Sequence, residues 1–324
     1  MRSSTSGSRI VRAIYLLAAG CLAVGVSIEG VARVGFDRVS KIQRRMTDEY
    51  RLARTIGTDG SAHSRHVLVV GNSLLDEDVR FDRLRGELGT EWDARRLVVE
   101  QTSYFDWYYG LKRLFREGAR PDAVVVMLAT GNWTATSSRG DYAAQYMIHI
   151  ADLPDATRDL GLNATQSANL LVSNVSKFWG VRAEMRNFVL GRMMPDLGRL
   201  MDFSRVVDSR PFVDDRVAQI VTARIARLKA LTTAHNAELI IVLPTVLNAE
   251  DGAAGFMRAS AAAGVTTLRP VASGAFGADL YRDAGFHLNP KGADEFTGRL
   301  VPVLRQRLAA AARQEPTTDQ TPGQ

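Results

Sequence analysis

Five short runs of β-branched and other apolar residues, at 66–70, 97–100, 123–128, 239–243 and 265–268, constrain this chain more than any other feature. Each is four to six residues long and mostly apolar, without the polar/apolar alternation of a half-solvated strand. Strands of that kind are buried on both faces, as in parallel sheets whose crossover connections are helices. Helical periodicity fills the intervals. Val217, Ile220, Val221, Ile225, Leu228 and Leu231 mark one face of a helix before the fourth run, and the Ala-rich segment 253–263 separates the fourth from the fifth. Alternating strands and helices predict an α/β chain folded as a three-layer, doubly wound parallel sheet of about five strands.

That domain spans 66–313. Within it, residues 141–210 have helical composition and no strand candidate, with breaks at Asn163-Ala-Thr and Asn174-Val-Ser; they read as a helical insertion over one end of the sheet. The final helix starts with Asn289 as N-cap and Pro290 in the first turn, and carries Phe296, Leu300, Leu304 and Leu308 along one face. Pro302 in that pattern predicts a kink. Residues 314–324 have no apolar anchor and read as a disordered tail.

At the other end, Arg2, Arg9 and Arg12 precede an uncharged run, 13–28, that stops at Glu29. Its length falls slightly short of the ~20 residues that cross a bilayer core, but Ile10, Val11 and the apolar residues of 31–34 extend it. Residues 1–35 fit a cleaved signal, a retained signal anchor, or a lipoprotein signal with Cys21 as first mature residue. Apolar residues continue well past Cys21, which favours the retained anchor. Arg33, Arg38, Lys41, Arg44 and Arg45 follow the span, so basic residues flank it on both sides. A basic start followed at once by the apolar run resembles an export signal, which places the chain on the inner membrane with its main domain periplasmic. Segment 36–65 reads as an amphipathic stalk or membrane-surface helix, because Val39, Ile42, Met46 and Tyr50 recur at spacings of three and four among charges.

Several classes are excluded. Cys21 is the only cysteine, so there is no disulfide scaffold. The net charge of +6 comes from 36 Arg and 5 Lys spread along the 324 residues, whereas a nucleic-acid partner would call for clustering. His63-x-x-His66 lacks a third ligand at useful spacing and reads as loop. No metal or cofactor is expected.

In an open α/β sheet, functional groups collect beyond the carboxyl ends of the strands. Gly71-Asn72-Ser73 follows the first run, Gln101-Thr102-Ser103 the second, and Thr130-Gly131-Asn132-Trp133 the third; Asp283 and His287 precede the last helix. A serine, two turns able to present donors and an Asp/His pair are the parts of an acyl-transfer site. Other serine chemistries fail on spacing: Leu75 stands where a nucleophile elbow needs Gly, and no lysine has a serine three positions before it. The glycines of a phosphate cradle are missing too.

These ordered blocks resemble the SGNH (GDSL-like) hydrolase superfamily over most of 67–304. Gly71-Asn72-Ser73 sits where the family's Gly-Asp-Ser block does, Gly131-Asn132 fits its Gly-x-Asn block, and Asp283 with His287 fits its C-terminal Asp/His block. Asn72 replaces the usual Asp, three residues rather than two separate Asp283 from His287, and Ser103 is nearest to the family's second-block glycine. The resemblance implies a flavodoxin-like SGNH fold, with Ser73 as nucleophile, His287 as base and Asp283 orienting it (Asp279 being the substitute). Ser73, Ser103 and Asn132 would form the oxyanion hole. The chemistry is consistent: serine needs a base, histidine's ordinary pKa of ~6.5 suits that task, and a carboxylate on the far ring nitrogen fixes the tautomer.

The anchored start and the run from His287 to Gly292 are similar to a branch found in bacterial envelope and exopolysaccharide systems. That implies an esterase or O-acetyltransferase acting on O-acetyl groups of a polysaccharide, with other polysaccharide-assembly proteins as partners. Trp107 and Trp133 are candidate sugar-binding aromatics, with packing inside a helix as the other reading. Two alternatives stand beside this one: a catalytically silent, polysaccharide-binding or assembly factor, and a lipid esterase.

Overall fold

The computed structural model describes residues 5–58, 65–138, 141–194 and 212–314. His63, the last part of the expected insertion (195–210) and the tail from 315 lie outside them.

Five strands, β1 (Arg65–Gly71), β2 (Trp92–Val98), β3 (Ala123–Met127), β4 (Glu238–Val242) and β5 (Thr266–Leu268), pair in parallel in the order β2-β1-β3-β4-β5. Thirteen helices are relevant here. The first six are α1 (Thr5–Val31), α2 (Lys41–Arg54), α3 (Ser73–Asp78), α4 (Phe81–Leu88), α5 (Tyr104–Arg116) and α6 (Thr130–Thr134). Four form the insertion: α7 (Asp141–Met147), α8 (Leu153–Leu160), α9 (Ala164–Val175) and α10 (Lys177–Met193). The last three are α11 (Asp214–Thr233), α12 (Ala253–Ala263) and α13 (Pro290–Gln314).

The apolar runs do not alternate because both faces of the sheet are covered. Leu68, Val70, Val124, Val126 and Ile241 point into one core, closed by α5, α11 and α12. Val67, Val69, Val125, Ile240 and Val242 point into the other, closed by α3, α4 and α13. Gly71 is in register with both Val98 and Met127, so the central strands end level and their following loops meet at one rim.

Two expectations change. The second strand begins at Trp92, well before position 97. Its first half is charged because β2 is an edge strand: Arg95 Nε donates to Asp93 (2.9 Å) and Arg96 Nε to Glu49 (2.7 Å). Next, the amphipathic helix α2 is packed onto that edge instead of standing off as a stalk. It buries Gln43, Met46, Glu49 and Ala53, while Val39 and Ile42 stay exposed. The edge supplies the reason, since Glu49 Oε2 accepts from Val98 N–H (2.9 Å), a donor with no strand beyond it. Helix α13 continues past Pro302, which lies on its exposed side.

The insertion is helical throughout its described part, and Asn163 caps α9 reciprocally with Gln166. The next break falls at Ser176, which caps α10. At the N-terminus, the 28-residue helical stretch Arg9–Phe36 is long and apolar enough to cross a membrane.

Candidate active site

The turn that carries Ser73 leaves no room for a side chain at its start. A Cβ on Gly71 would lie 2.6 Å from the Met127 carbonyl oxygen and 2.9 Å from Leu75 Cβ. Asn72 follows, buried at the N-cap of α3. Its Oδ1 accepts from Leu74 N–H (3.1 Å) and its Nδ2 donates to the Thr102 carbonyl (3.1 Å). An ionised aspartate could make only the first of these bonds, and its second oxygen would face a carbonyl oxygen. Asparagine at the family's Asp position therefore ties the first and second blocks together. Asn72→Asp is expected to cost ~1–3 kcal/mol of stability or more, as an unpaired buried charge; a lower urea midpoint at neutral pH, recovering as the pH falls, is the check.

Asp283 and His287 lie in a loop pinned at its base by an antiparallel bridge between Tyr281 and Leu288 and by Arg282 N–H donating to the His287 carbonyl (3.1 Å). The extra residue between the pair is absorbed by a tight turn. Gly285 N–H donates to the Asp283 carbonyl (2.5 Å), and Gly285 has φ +92. A Cβ there would lie 2.4 Å from Leu247 Cβ. Asp283 Oδ1 accepts the N–H groups of Phe286 and His287 (2.9 Å each), and Oδ2 lies 2.6 Å from His287 Nδ1. His287 Nε2 lies 2.9 Å from Ser73 Oγ.

With a carboxylate on one side, Nδ1 carries the ring proton and Nε2 accepts the Ser73 hydroxyl. Partial burial pushes the Asp283 carboxyl up, but the hydrogen bonds from His287 and Phe286 outweigh it and hold it below the ordinary range. Asp283, and not the substitute Asp279, is the acid that meets His287 Nδ1; Asp279 contributes its backbone carbonyl, which accepts Asn289 Nδ2 at 2.6 Å.

The oxyanion group assembles only in part. Ser73 N–H has no hydrogen-bond partner among the described residues, but Ser103 N–H donates to Asp106 Oδ2 (2.9 Å) as half of a capping box on α5. Ser103 is therefore not the donor expected, because its amide closes a helix end. Asn132 Nδ2 donates to the Thr102 carbonyl (3.4 Å), leaving its second hydrogen unassigned. The Thr102 carbonyl thus receives both Asn72 and Asn132, turned towards them where Gln101 takes a left-handed φ of 59. Thr102 was not among the expected residues, and a threonine beside two polar neighbours gives no signal for that role.

Trp107 and Trp133 do not line the rim. Trp107 is 1 % exposed with Nε1 donating to Thr102 Oγ1 (2.9 Å), and Trp133 is fully buried between Tyr104 and Phe256. Both support the loops from beneath, which corrects their assignment as sugar-binding residues.

Asp78, at the far end of α3, was also not anticipated; it follows Asp76 and Glu77 in the sequence. It is fully buried, and its Oδ1 accepts Leu288 N–H (2.8 Å), so it couples the helix that carries Ser73 to the loop that carries His287. Burial raises its carboxyl well above the ordinary range; the Leu288 bond offsets this in part, while Glu77 and Asp283 push the same way. Because the folded pKa is raised, the stability tied to Asp78 is complete below the unfolded carboxyl pKa and declines as pH rises above it. Asp78→Asn keeps an acceptor for Leu288 and is expected to flatten that decline. Asp78→Ala orphans the Leu288 N–H and is expected to cost ~1–3 kcal/mol. Denaturant unfolding from acid to mildly alkaline pH measures both.

Two open hollows lie elsewhere. One of about 720 Å³ includes Arg65, Trp92, Asp122, Glu238 and Arg307 near the amino ends of the strands; the other, about 670 Å³, includes Glu49, Asp76, Arg85 and Arg96 beside β2. Among the described residues no His/Cys/Asp/Glu cluster could hold a metal.

No protein-family model matches the sequence, and no curated protein matches it. Among solved structures, the chain is similar to a GDSL-like lipase from Bacteroides thetaiotaomicron, at 12% identity and TM-score 0.39 over 84% of this chain and 98% of that one. It is also similar to TesA, at 9% identity and TM-score 0.38 over 75% and 99%. An acetyl xylan esterase from Butyrivibrio proteoclasticus matches at 12% identity and TM-score 0.38 over 76% and 65%.

Proposed function

We propose that this chain is an SGNH-type serine acyl hydrolase or O-acyltransferase, held at the inner membrane by a retained N-terminal span with its domain periplasmic, and acting on O-acetyl groups of an envelope or extracellular polysaccharide. The observation that carries the chemistry is the continuous relay from Ser73 Oγ through the His287 ring to Asp283, at 2.9 and 2.6 Å. Ser73 Oγ attacks the ester carbonyl carbon while its proton passes to His287 Nε2. The resulting oxyanion is met by the Ser73 N–H and the Asn132 side-chain amide. Collapse expels the sugar hydroxyl, which takes the proton from His287 and leaves an acyl group on Ser73. Water, or a hydroxyl of an acceptor glycan, then receives it by the reverse sequence. The loop that holds His287 is closed by backbone bonds and by Asp78, so the base is positioned before substrate arrives.

One observation favours a second reading, a silent glycan-binding or assembly factor: Ser103 N–H, the expected third oxyanion donor, is already engaged by Asp106. Membranes containing the full chain, treated with a fluorophosphonate and analysed by peptide mass, separate the two. An adduct on Ser73 together with acetate release from an acetylated polysaccharide supports the enzyme. An unlabelled protein that still retains glycan supports the assembly factor.

A further inference from the structure

Helix α9 presents an apolar stripe outward. Ala164, Ala168, Leu171, Val172 and Val175 recur at spacings that place them on one stripe, and all of them face outward, Leu171 being 44 %, Val172 42 % and Val175 60 % exposed. The opposite face, where Leu170 is buried in the core, also turns Ser173 and Asn174 inward, and Ser173 Oγ and Asn174 Nδ2 are buried without hydrogen-bond partners among the described residues. In water this orientation leaves apolar area unburied on one side and polar atoms unsatisfied on the other. The stripe therefore calls for an apolar occupant.

The membrane span identifies that occupant. Glu29, which ends the uncharged run of α1, accepts Ser176 Oγ (2.7 Å), Lys177 N–H (2.7 Å) and Phe178 N–H (3.1 Å). Arg33, paired with Glu29 at 2.6 Å, donates to the Val175 carbonyl (2.8 Å). Lys177 Nζ, buried at the same junction, donates to Gln43 of α2 and Tyr146 of α7 (2.9 Å each), which ties it to the rest of the domain. The carboxyl end of the stripe is thus gripped by the first charged residues beyond the apolar run. Residues 13–28 rise about 24 Å as a helix, near the ~30 Å of a hydrocarbon core, which sets Glu29 and Arg33 at its boundary. Trp179, four residues past Val175, is exposed there with the Arg182 guanidinium 4.5 Å from its ring. An indole beside a basic group is the pairing found where lipid headgroups meet acyl chains.

We infer that α9 and the Val175–Trp179 junction are seated in the bilayer interface, so that a second contact besides the span fixes the domain against the membrane. This rests on the proposed retention of the span. The test uses Trp179, since Trp92, Trp107 and Trp133 are buried and out of reach of a lipid-borne quencher. Full-length protein is placed in vesicles whose phospholipids carry bromine at shallow acyl positions, with unbrominated vesicles as reference. The expected result is a loss of emission that disappears in Trp179→Phe. In Leu171→Asp/Val175→Asp the quenching is expected to be lost while alkaline carbonate still fails to extract the protein.

Unquenched Trp179 in protein that resists carbonate overturns this inference and leaves the anchor standing. Release by carbonate with a shortened N-terminus overturns both.

Discussion

Replacing Ser73 by alanine is expected to lower kcat for ester cleavage by about 10⁴–10⁶, equivalent to ~5–8 kcal/mol of transition-state stabilisation, while leaving the fold intact. Among the described residues the hydroxyl's one hydrogen bond is to His287 Nε2, and Ser73 stands at the first turn of a short helix already capped by Asn72. Stability should therefore shift by no more than ~0.5 kcal/mol. What remains after truncation is binding plus whatever oxyanion stabilisation the site offers. With Ser103 N–H committed to Asp106, that remainder should be small. His287→Ala is expected to lose a comparable factor, and the double variant hardly more than either single one, because the two residues act on one proton. Acetate release under single-turnover conditions, with the melting temperature as control, reads all three. Activity within tenfold of the unaltered protein in a well-folded Ser73→Ala would remove this serine as the nucleophile.

The architecture was legible because burial on both faces of a parallel sheet leaves a simple signature, an unbroken apolar run, and four of the five runs coincide closely with strands. The second did so only at its end. Trp92 to Arg96 mixes charges with apolar residues, and nothing local announces that an edge position and a carboxylate on another helix make those charges tolerable. The same gap misled the reading of α2, whose buried face joins Met46 and Ala53 in the core with Glu49, the acceptor of the Val98 N–H. At the site, order along the chain was enough to bring Ser73, Asp283 and His287 together, since their blocks follow strand ends that lie on one rim. Which atoms of the neighbouring residues face that rim was not legible. Ser103 and the two tryptophans stand at suitable sequence positions, yet a capping box turns one amide away and helix packing buries both indoles. Thr102 and Asp78 act through a carbonyl and a buried carboxyl, and residue type at those positions is a weak guide to either.

Asp283→Asn tests the relay at its other end, and the loop geometry makes the outcome specific. Asp283 Oδ1 receives two backbone N–H groups, from Phe286 and His287, while Oδ2 faces the ring. An asparagine must keep its carbonyl oxygen on the two N–H groups, because the flipped amide would set N–H against N–H. Its NH₂ then points at His287 Nδ1 and donates to it. The ring proton moves to Nε2, which now donates to Ser73 Oγ instead of accepting from it, so the serine has no base. The expected loss in kcat is about 10²–10⁴, the upper value applying to a well-buried carboxylate in the same role. The lower part of that range is favoured here because the Asp283 side chain is 38% exposed and water can substitute in part. Because hydrogen bonding holds the Asp283 carboxyl below the ordinary range, it stays ionised well into acid, and unaltered protein should lose the ring's orientation only as pH falls through that depressed value. The variant should be impaired at every pH. Nitrogen NMR of the His287 ring provides a readout independent of rate: Nδ1–H in the unaltered protein and Nε2–H in Asp283→Asn is the expected pattern. An unchanged tautomer with undiminished kcat would leave Asp283 as a loop-stabilising residue and transfer the orienting role elsewhere.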